Sequence, residues 1–233
     1  RRPAPPAMST QVSDWQVPAA TLRWLDAVPA ERGVAMLVRH SVRDPLPPGD
    51  LGYANALNAE GVALARSLGE RLHGRLRSLH TSPLQRCVHT AEVFARVAGD
   101  TPPILTDRML GDPGAWVLDR VQAGENWRRL GSEGIMERLA TTDADLPGTR
   151  PARVGAQNLA THMLAIAAGA PGLHVFVTHD ILLAIAAARF LGPPPPGPGR
   201  WPAYLEAAFF WQDEDGLHAA YRDVHRAGLD GAR

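Results

Sequence analysis

The run Val34-Ala35-Met36-Leu37-Val38 constrains this chain more than any other feature, because an unbroken apolar stretch ending at Arg39-His40 fits a strand covered on both faces. Such a strand needs helices above and below it, and so calls for an α/β architecture. The surrounding pattern agrees. Asn58 to Gly74 reads as a helix, with Asn58 as its N-cap and Val62, Leu64, Ala65, Leu68 and Leu72 as its apolar stripe. Leu76 to Thr81 reads as a second strand, and Ser82-Pro83 as the cap and first turn of a helix that runs to about Ala98 and carries Arg86 near its start. Leu173 to Thr178 reads as a third buried strand, followed by a helix from about Asp180 to Leu191 that stops at Gly192. After the rigid loop Pro193 to Pro198, Leu205 to Trp211 and Leu217 to Tyr221 read as a terminal hairpin. The expected fold is a three-layer α/β/α sandwich on a mostly parallel sheet, with an antiparallel contribution at its end.

A length of 233 residues with 45% hydrophobic content suits one domain with its own core. Residues 1–20 are expected to form a flexible N-terminal extension, since Arg1 to Ala7 is an Arg/Pro/Ala stretch without an apolar signal core. Residues 21–233 then form the domain, with a cap inserted at about 111–151, where Gly, Pro and acidic residues mix with Trp116 and Trp127 and periodicity is poor. Basic and acidic residues balance at 24 each, so the overall field favours neither nucleic acid nor an anionic membrane surface. No apolar run approaches the ~20 residues that span a bilayer. The single Cys87 excludes an internal disulfide framework and a cysteine-based metal cluster; it leans towards the cytoplasm, with periplasm and secretion left open.

In open α/β sheets, ligands collect beyond the carboxyl ends of the strands. Arg39-His40-Ser41-Val42-Arg43-Asp44-Pro45, Ser82-Pro83-Leu84-Gln85-Arg86 and Thr178-His179-Asp180 each follow one expected strand and so point to one rim. That rim gathers Arg39, Arg43, Arg86, His40 and His179 around a helix N-terminus, whose free N–H groups and dipole favour an anion. Phosphate fits best, because guanidinium groups meet its oxygens in bidentate fashion. His40 alone would suit a buried histidine capping strand carbonyls; flanked by Arg39 and Arg43, it points to chemistry. Asp180 reads either as an acid or as a plain helix-start carboxylate. Trp116 and Trp127 either line a substrate mouth or pack. The other histidines, His73, His80, His89, His162, His174, His218 and His225, show no metal-ligand spacing.

Three of these segments carry a family resemblance. Arg39-His40-Ser41-Val42-Arg43-Asp44-Pro45 resembles the Arg-His-Gly-x-Arg-x-Pro signature of the acid phosphatase branch of the histidine phosphatase superfamily, and His179-Asp180 resembles that branch's His-Asp pair. Ser82 to Ala91 is similar to the superfamily's Ser-Pro-Leu-x-Arg-x-x-x-Thr-Ala segment. The resemblance implies a phosphoglycerate mutase-like fold and a metal-independent phosphomonoesterase without cofactor, acting on a small phosphorylated metabolite and not on nucleic acid or membrane. It implies His40 as nucleophile, Arg39, Arg43, Arg86 and His179 as phosphate ligands, with His179 also counted among the catalytic residues, and Asp180 as general acid. Ser41 departs from the pattern, which has Gly there. The mutase-like branch draws its acid from the inserted segment instead, which makes Asp112 and Glu125 alternatives and Asp107 a weaker one. Two other functions stay open: a phosphoglycerate mutase-type transferase and a non-catalytic phospholigand-binding protein. Substrate choice is expected to lie in the loops from Asp44 to Ala54 and Gly111 to Pro151.

Overall fold

The computed structural model describes residues 15–46, 52–99, 102–142 and 145–229, and the apolar run ahead of His40 lies at the centre of its sheet. The chain runs α1 (Ala19–Ala27), β1 (Gly33–Arg39), α2 (Ala59–Glu70), β2 (Leu76–Thr81), α3 (Gln85–Ala98), β3 (Ile104–Thr106), α4 (Arg120–Thr141), α5 (Ala152–Ala167), β4 (Gly172–Thr178), α6 (Asp180–Leu191), β5 (Ala207–Asp213), β6 (Gly216–Tyr221) and β7 (Val224–Leu229). The strand order is β3-β2-β4-β1-β5-β6-β7. The first four strands in that order pair in parallel, and β5 to β7 continue the sheet antiparallel.

Alternation along β1 feeds two cores. Val34, Met36 and Val38 join the one built with α2 and α3, while Ala35 and Leu37 join the one built with α5 and α6. Burying each Val or Leu completely is worth about 1.5–3 kcal/mol, so a central strand buried on both faces anchors both layers. Register then positions the functional rim. Arg39 pairs with Thr178 and Thr81 with Val177, which ends β1, β2 and β4 at one level. Because β5 runs antiparallel to β1, with Val38 opposite Ala207, the loop that precedes β5 reaches the same rim.

Several boundaries differ from the sequence reading for identifiable reasons. Helix α1 begins at Ala19, inside the expected extension, and buries Thr21 and Leu25; residues 1–14 of that extension lie outside the described residues. Asn58 caps α2 as expected, accepting from the Gly61 N–H at 2.9 Å, but the helix ends at Glu70. Ser82 is not the cap of α3, which starts at Gln85 after the extended Leu84. Its hydroxyl is engaged by His179 instead. β5 starts at Ala207, since Leu205 has φ 57. The segment 111–151 holds α4, capped by Asp119 through the Val121 and Gln122 N–H groups and broken at Gly131, with φ 65 and ψ 177. Ile135 and Leu139 of α4 join the core beside α5 and α6. No helix among the described residues is long and apolar enough to cross a membrane.

Candidate active site

His40 leaves the end of β1 with its N–H on the Thr178 carbonyl at 2.9 Å and its Nδ1 2.8 Å from the Ser41 carbonyl. A carbonyl can only accept, so Nδ1 carries the proton and Nε2 keeps a free lone pair. The ring is only 3% exposed. Burial first, then His179 and Arg39 and more weakly Arg86, hold its pKa well below the ordinary imidazole value, against the opposing Ser41 carbonyl. His40 is therefore a neutral imidazole at physiological pH. Ser41 fits without strain, because its φ is not positive. Its Oγ donates to the Gly61 carbonyl at 2.7 Å and its N–H donates to Thr90 Oγ1 at 3.1 Å, which fastens the loop to α2 and α3. Gly61 permits that approach: a Cβ there would lie 1.9 Å from the Val42 oxygen.

His179, at the end of β4, sits with its ring centroid 5.6 Å from that of His40. Arg86 Nη2 donates to its Nδ1 at 3.3 Å, so Nε2 carries the proton towards Ser82 Oγ at 2.8 Å. Burial, then Arg86, Arg39 and Arg43, push its pKa down to about 3. Arg86 is buried and also donates to the Gly52 carbonyl at 2.8 Å. Arg39 Nη2 meets Asp180 Oδ2 at 2.9 Å, its Nη1 donates to the Pro202 carbonyl at 2.6 Å, and its guanidinium lies 4.1 Å from the Tyr204 ring centre. Arg43 Nη1 donates to the Asp44 carbonyl at 2.8 Å. The Nε atoms of Arg39 and Arg43 are buried without a hydrogen-bond partner. Cys87 packs against His179, and burial pushes its thiol up to about 12, which makes it inert packing.

The residues named from the sequence thus converge at the rim, with additions that sequence reasoning missed. Tyr204 and the Pro202 carbonyl come from the loop before β5, and finding them requires knowing that β5 pairs with β1. Gly111 packs its Cα against His179, where a Cβ would meet Ser82 Oγ at 2.5 Å and His179 Nε2 at 2.8 Å. Of the alternative acids, Asp112 lines the same cavity as Arg86 and His179. Asp107 is engaged elsewhere, on the Met109 N–H and on His162 at 2.7 Å, and Glu125 is exposed on α4 outside that cavity. Trp116 is buried and Trp127 exposed, and both line the cavity. Among the histidines set aside, His218 approaches Asp213 and Asp215 to within 4.8 Å at the opposite end of the sheet, remote from the rim. Residues 47–51 of the Asp44 to Ala54 loop lie outside the described residues.

A family model described as histidine phosphatase superfamily, branch 1, matches residues 37–209. It gives no support to the acid phosphatase branch that the Arg39 to Pro45 motif resembles. Among solved structures, the mycobacterial glucosyl-3-phosphoglycerate phosphatase is 17% identical over 87% of this chain and 99% of its own, with a TM-score of 0.52. The protein histidine phosphatase SixA, complexed with tungstate, is 14% identical over 84% and 97%, with a TM-score of 0.51. A phosphoglycerate mutase from Bacillus anthracis is 16% identical over 87% and 95%, with a TM-score of 0.50. At these identities the likeness shows a shared fold. No curated protein matches the chain.

Proposed function

The chain belongs to the histidine phosphatase superfamily, branch 1, and is a phosphatase by family; from that premise we propose that it hydrolyses small phosphomonoesters through a transient phosphohistidine on His40. In this scheme the Nε2 lone pair of His40 attacks phosphorus in line with the ester bond. That bond breaks, its electron pair leaves on the alcohol oxygen, and Asp180 supplies the proton. Water then attacks the phosphohistidine, gives its proton to Asp180 and releases inorganic phosphate. Arg39, Arg43, Arg86 and His179 hold the equatorial oxygens while charge redistributes, so the scheme calls for no metal or other cofactor.

One observation carries the proposal: the His40 Nδ1 contact with the Ser41 carbonyl at 2.8 Å, which fixes the tautomer and leaves Nε2 nucleophilic in a nest of guanidinium groups. The buried, unpartnered Nε–H groups of Arg39 and Arg43 support it. A buried donor left unmade costs about 1–3 kcal/mol, and an anion would satisfy both. The bond from Arg39 to Asp180 gives the acid and the phosphate a common support. A second reading of the acid role is favoured by one fact: Asp112 lines the cavity next to Arg86 and His179. Residues 111–151 act as the cap in this proposal, since Gly111, Asp112, Trp116, Trp127 and Leu139 close one side of that cavity.

His40→Ala tests the proposal. The imidazole makes one hydrogen bond, to a neighbouring loop carbonyl, so its loss should leave the melting temperature within a few degrees of the parent while turnover of phosphomonoesters disappears. A folded variant that keeps turnover near the parent level would remove His40 from the chemistry.

A further inference from the structure

Between α4 and α6 lies a cavity of about 320 Å³ whose wall begins at the cation cluster. Arg86 and His179 belong to that wall, and Ile181, Leu182 and Ile185 continue it along α6. Trp127, Ile135 and Leu139 of α4 face them, and the exposed Trp127 and Tyr53 bring one side of the cavity to the surface. The polar groups in the lining are already engaged within the protein. Asn126 Nδ2 donates to the Pro147 carbonyl at 2.7 Å, Thr149 Oγ1 to the Leu146 carbonyl at 2.7 Å, and Trp116 Nε1 to the Ala152 carbonyl at 2.9 Å. Tyr53 lines the cavity beside Asp112, whose carboxylate faces Arg120 at 3.3 Å.

We infer that the alcohol half of the substrate is a hydrocarbon body, alkyl or aryl, which fills this cavity while its phosphate sits among Arg39, Arg43, Arg86 and His179. The inference rests on the phosphatase reading and narrows it to a substrate class. A sugar or nucleoside would bring hydroxyls that leave water for a wall of Ile, Leu and Trp side chains, with few groups free to replace the lost hydrogen bonds. A hydrocarbon loses nothing there and gains by leaving water. The volume suits a small ligand, since such sites span roughly 300–1,000 Å³. Continuity with the cation cluster fixes the orientation: charged head at His179, carbon chain running along α6.

Alkylphosphonates from methyl to octyl test this on the whole protein, because they carry the anionic head without a cleavable ester. Calorimetry should show affinity rising about fourfold for each methylene that enters the cavity, with an increasingly negative heat-capacity change. Trp127 is 42% exposed, so Trp127→Ala should fold, and it should flatten the chain-length series. In parallel, octyl phosphate should be hydrolysed at least tenfold more efficiently than glycerol phosphate. Equal binding of methyl- and octylphosphonate, or tighter binding of a dihydroxybutylphosphonate than of butylphosphonate, would overturn the inference. A chain-length gain without turnover of any ester supports the cavity's preference and sinks the phosphatase reading, whereas turnover without a gain does the reverse.

Discussion

Arg39 touches a carboxylate, a backbone carbonyl and an aromatic face at once, through Asp180, Pro202 and Tyr204. That triple contact holds its planar fork in one orientation and leaves a buried Nε–H facing no acceptor. Asp180 is thereby held at the rim by the arginine that is proposed to meet the phosphate. If Asp180 protonates the leaving group, Asp180→Asn should slow hydrolysis of alkyl phosphates by ~10²–10⁴-fold and of aryl phosphates with stable leaving anions far less. Rates for both ester classes on the same variant check this. A small and uniform loss would reject the acid role for Asp180 and pass it to Asp112. At this scale the sequence revealed the residues that follow strands β1, β2 and β4, because a strand end beside arginine and histidine is a local signal. Tyr204 carried no such signal, and Ser82, although it follows β2 at the rim, read as a helix cap and not as a partner of His179. The role of Ser82 depends on His179, 97 positions away, and that of Tyr204 on which strand lies next to β1.

The loop before β5 is held in place by a half-buried ion pair. Glu206 accepts from Arg222 Nε at 2.7 Å and Nη2 at 3.1 Å, and its Oε2 accepts from the Ala203 N–H at 2.8 Å. This pair positions the Pro202 carbonyl and Tyr204 over Arg39. Glu206→Gln keeps one acceptor but loses the charge, so it should cost about 1–3 kcal/mol of stability, or roughly 2–10 °C of melting temperature in a domain of this size. A rise in KM for phosphate esters should accompany it, because Arg39 loses support. A lower melting temperature with an unchanged KM would show that the loop does not position Arg39. Among the elements, the helices with a clean apolar stripe were readable, as with α2 and its Asn58 cap. Helix α4 was not, because Gly131 breaks it into two short pieces whose faces do not share one phase. Strand β7 was missed because it is a largely exposed edge without alternation, and α1 because it begins at Ala19, inside the span 1–20 read as an extension.

Over the whole molecule, a two-faced central strand is what ties fold to chemistry. Burial on both faces forces helices onto both sides of the sheet, and the parallel register of β1, β2 and β4 then delivers three loops to one rim. The α/β/α architecture was legible, and so was the gathering of Arg39, His40, Arg86 and His179 at one rim as a candidate site, because both follow from hydrophobic patterning and from the polarity of parallel strands. The cavity between α4 and α6 was not legible, since it depends on how a poorly periodic segment packs against a distant helix. What unites these levels is the claim that phosphorus passes through His40. Rapid base quench of the protein with an ester labelled in its phosphate, followed by peptide mapping, measures that claim directly. An acid-labile, base-stable label is expected on the peptide that contains His40, formed within one turnover and lost to water as phosphate appears. Turnover without any trapped label, or a label on another residue, would contradict it.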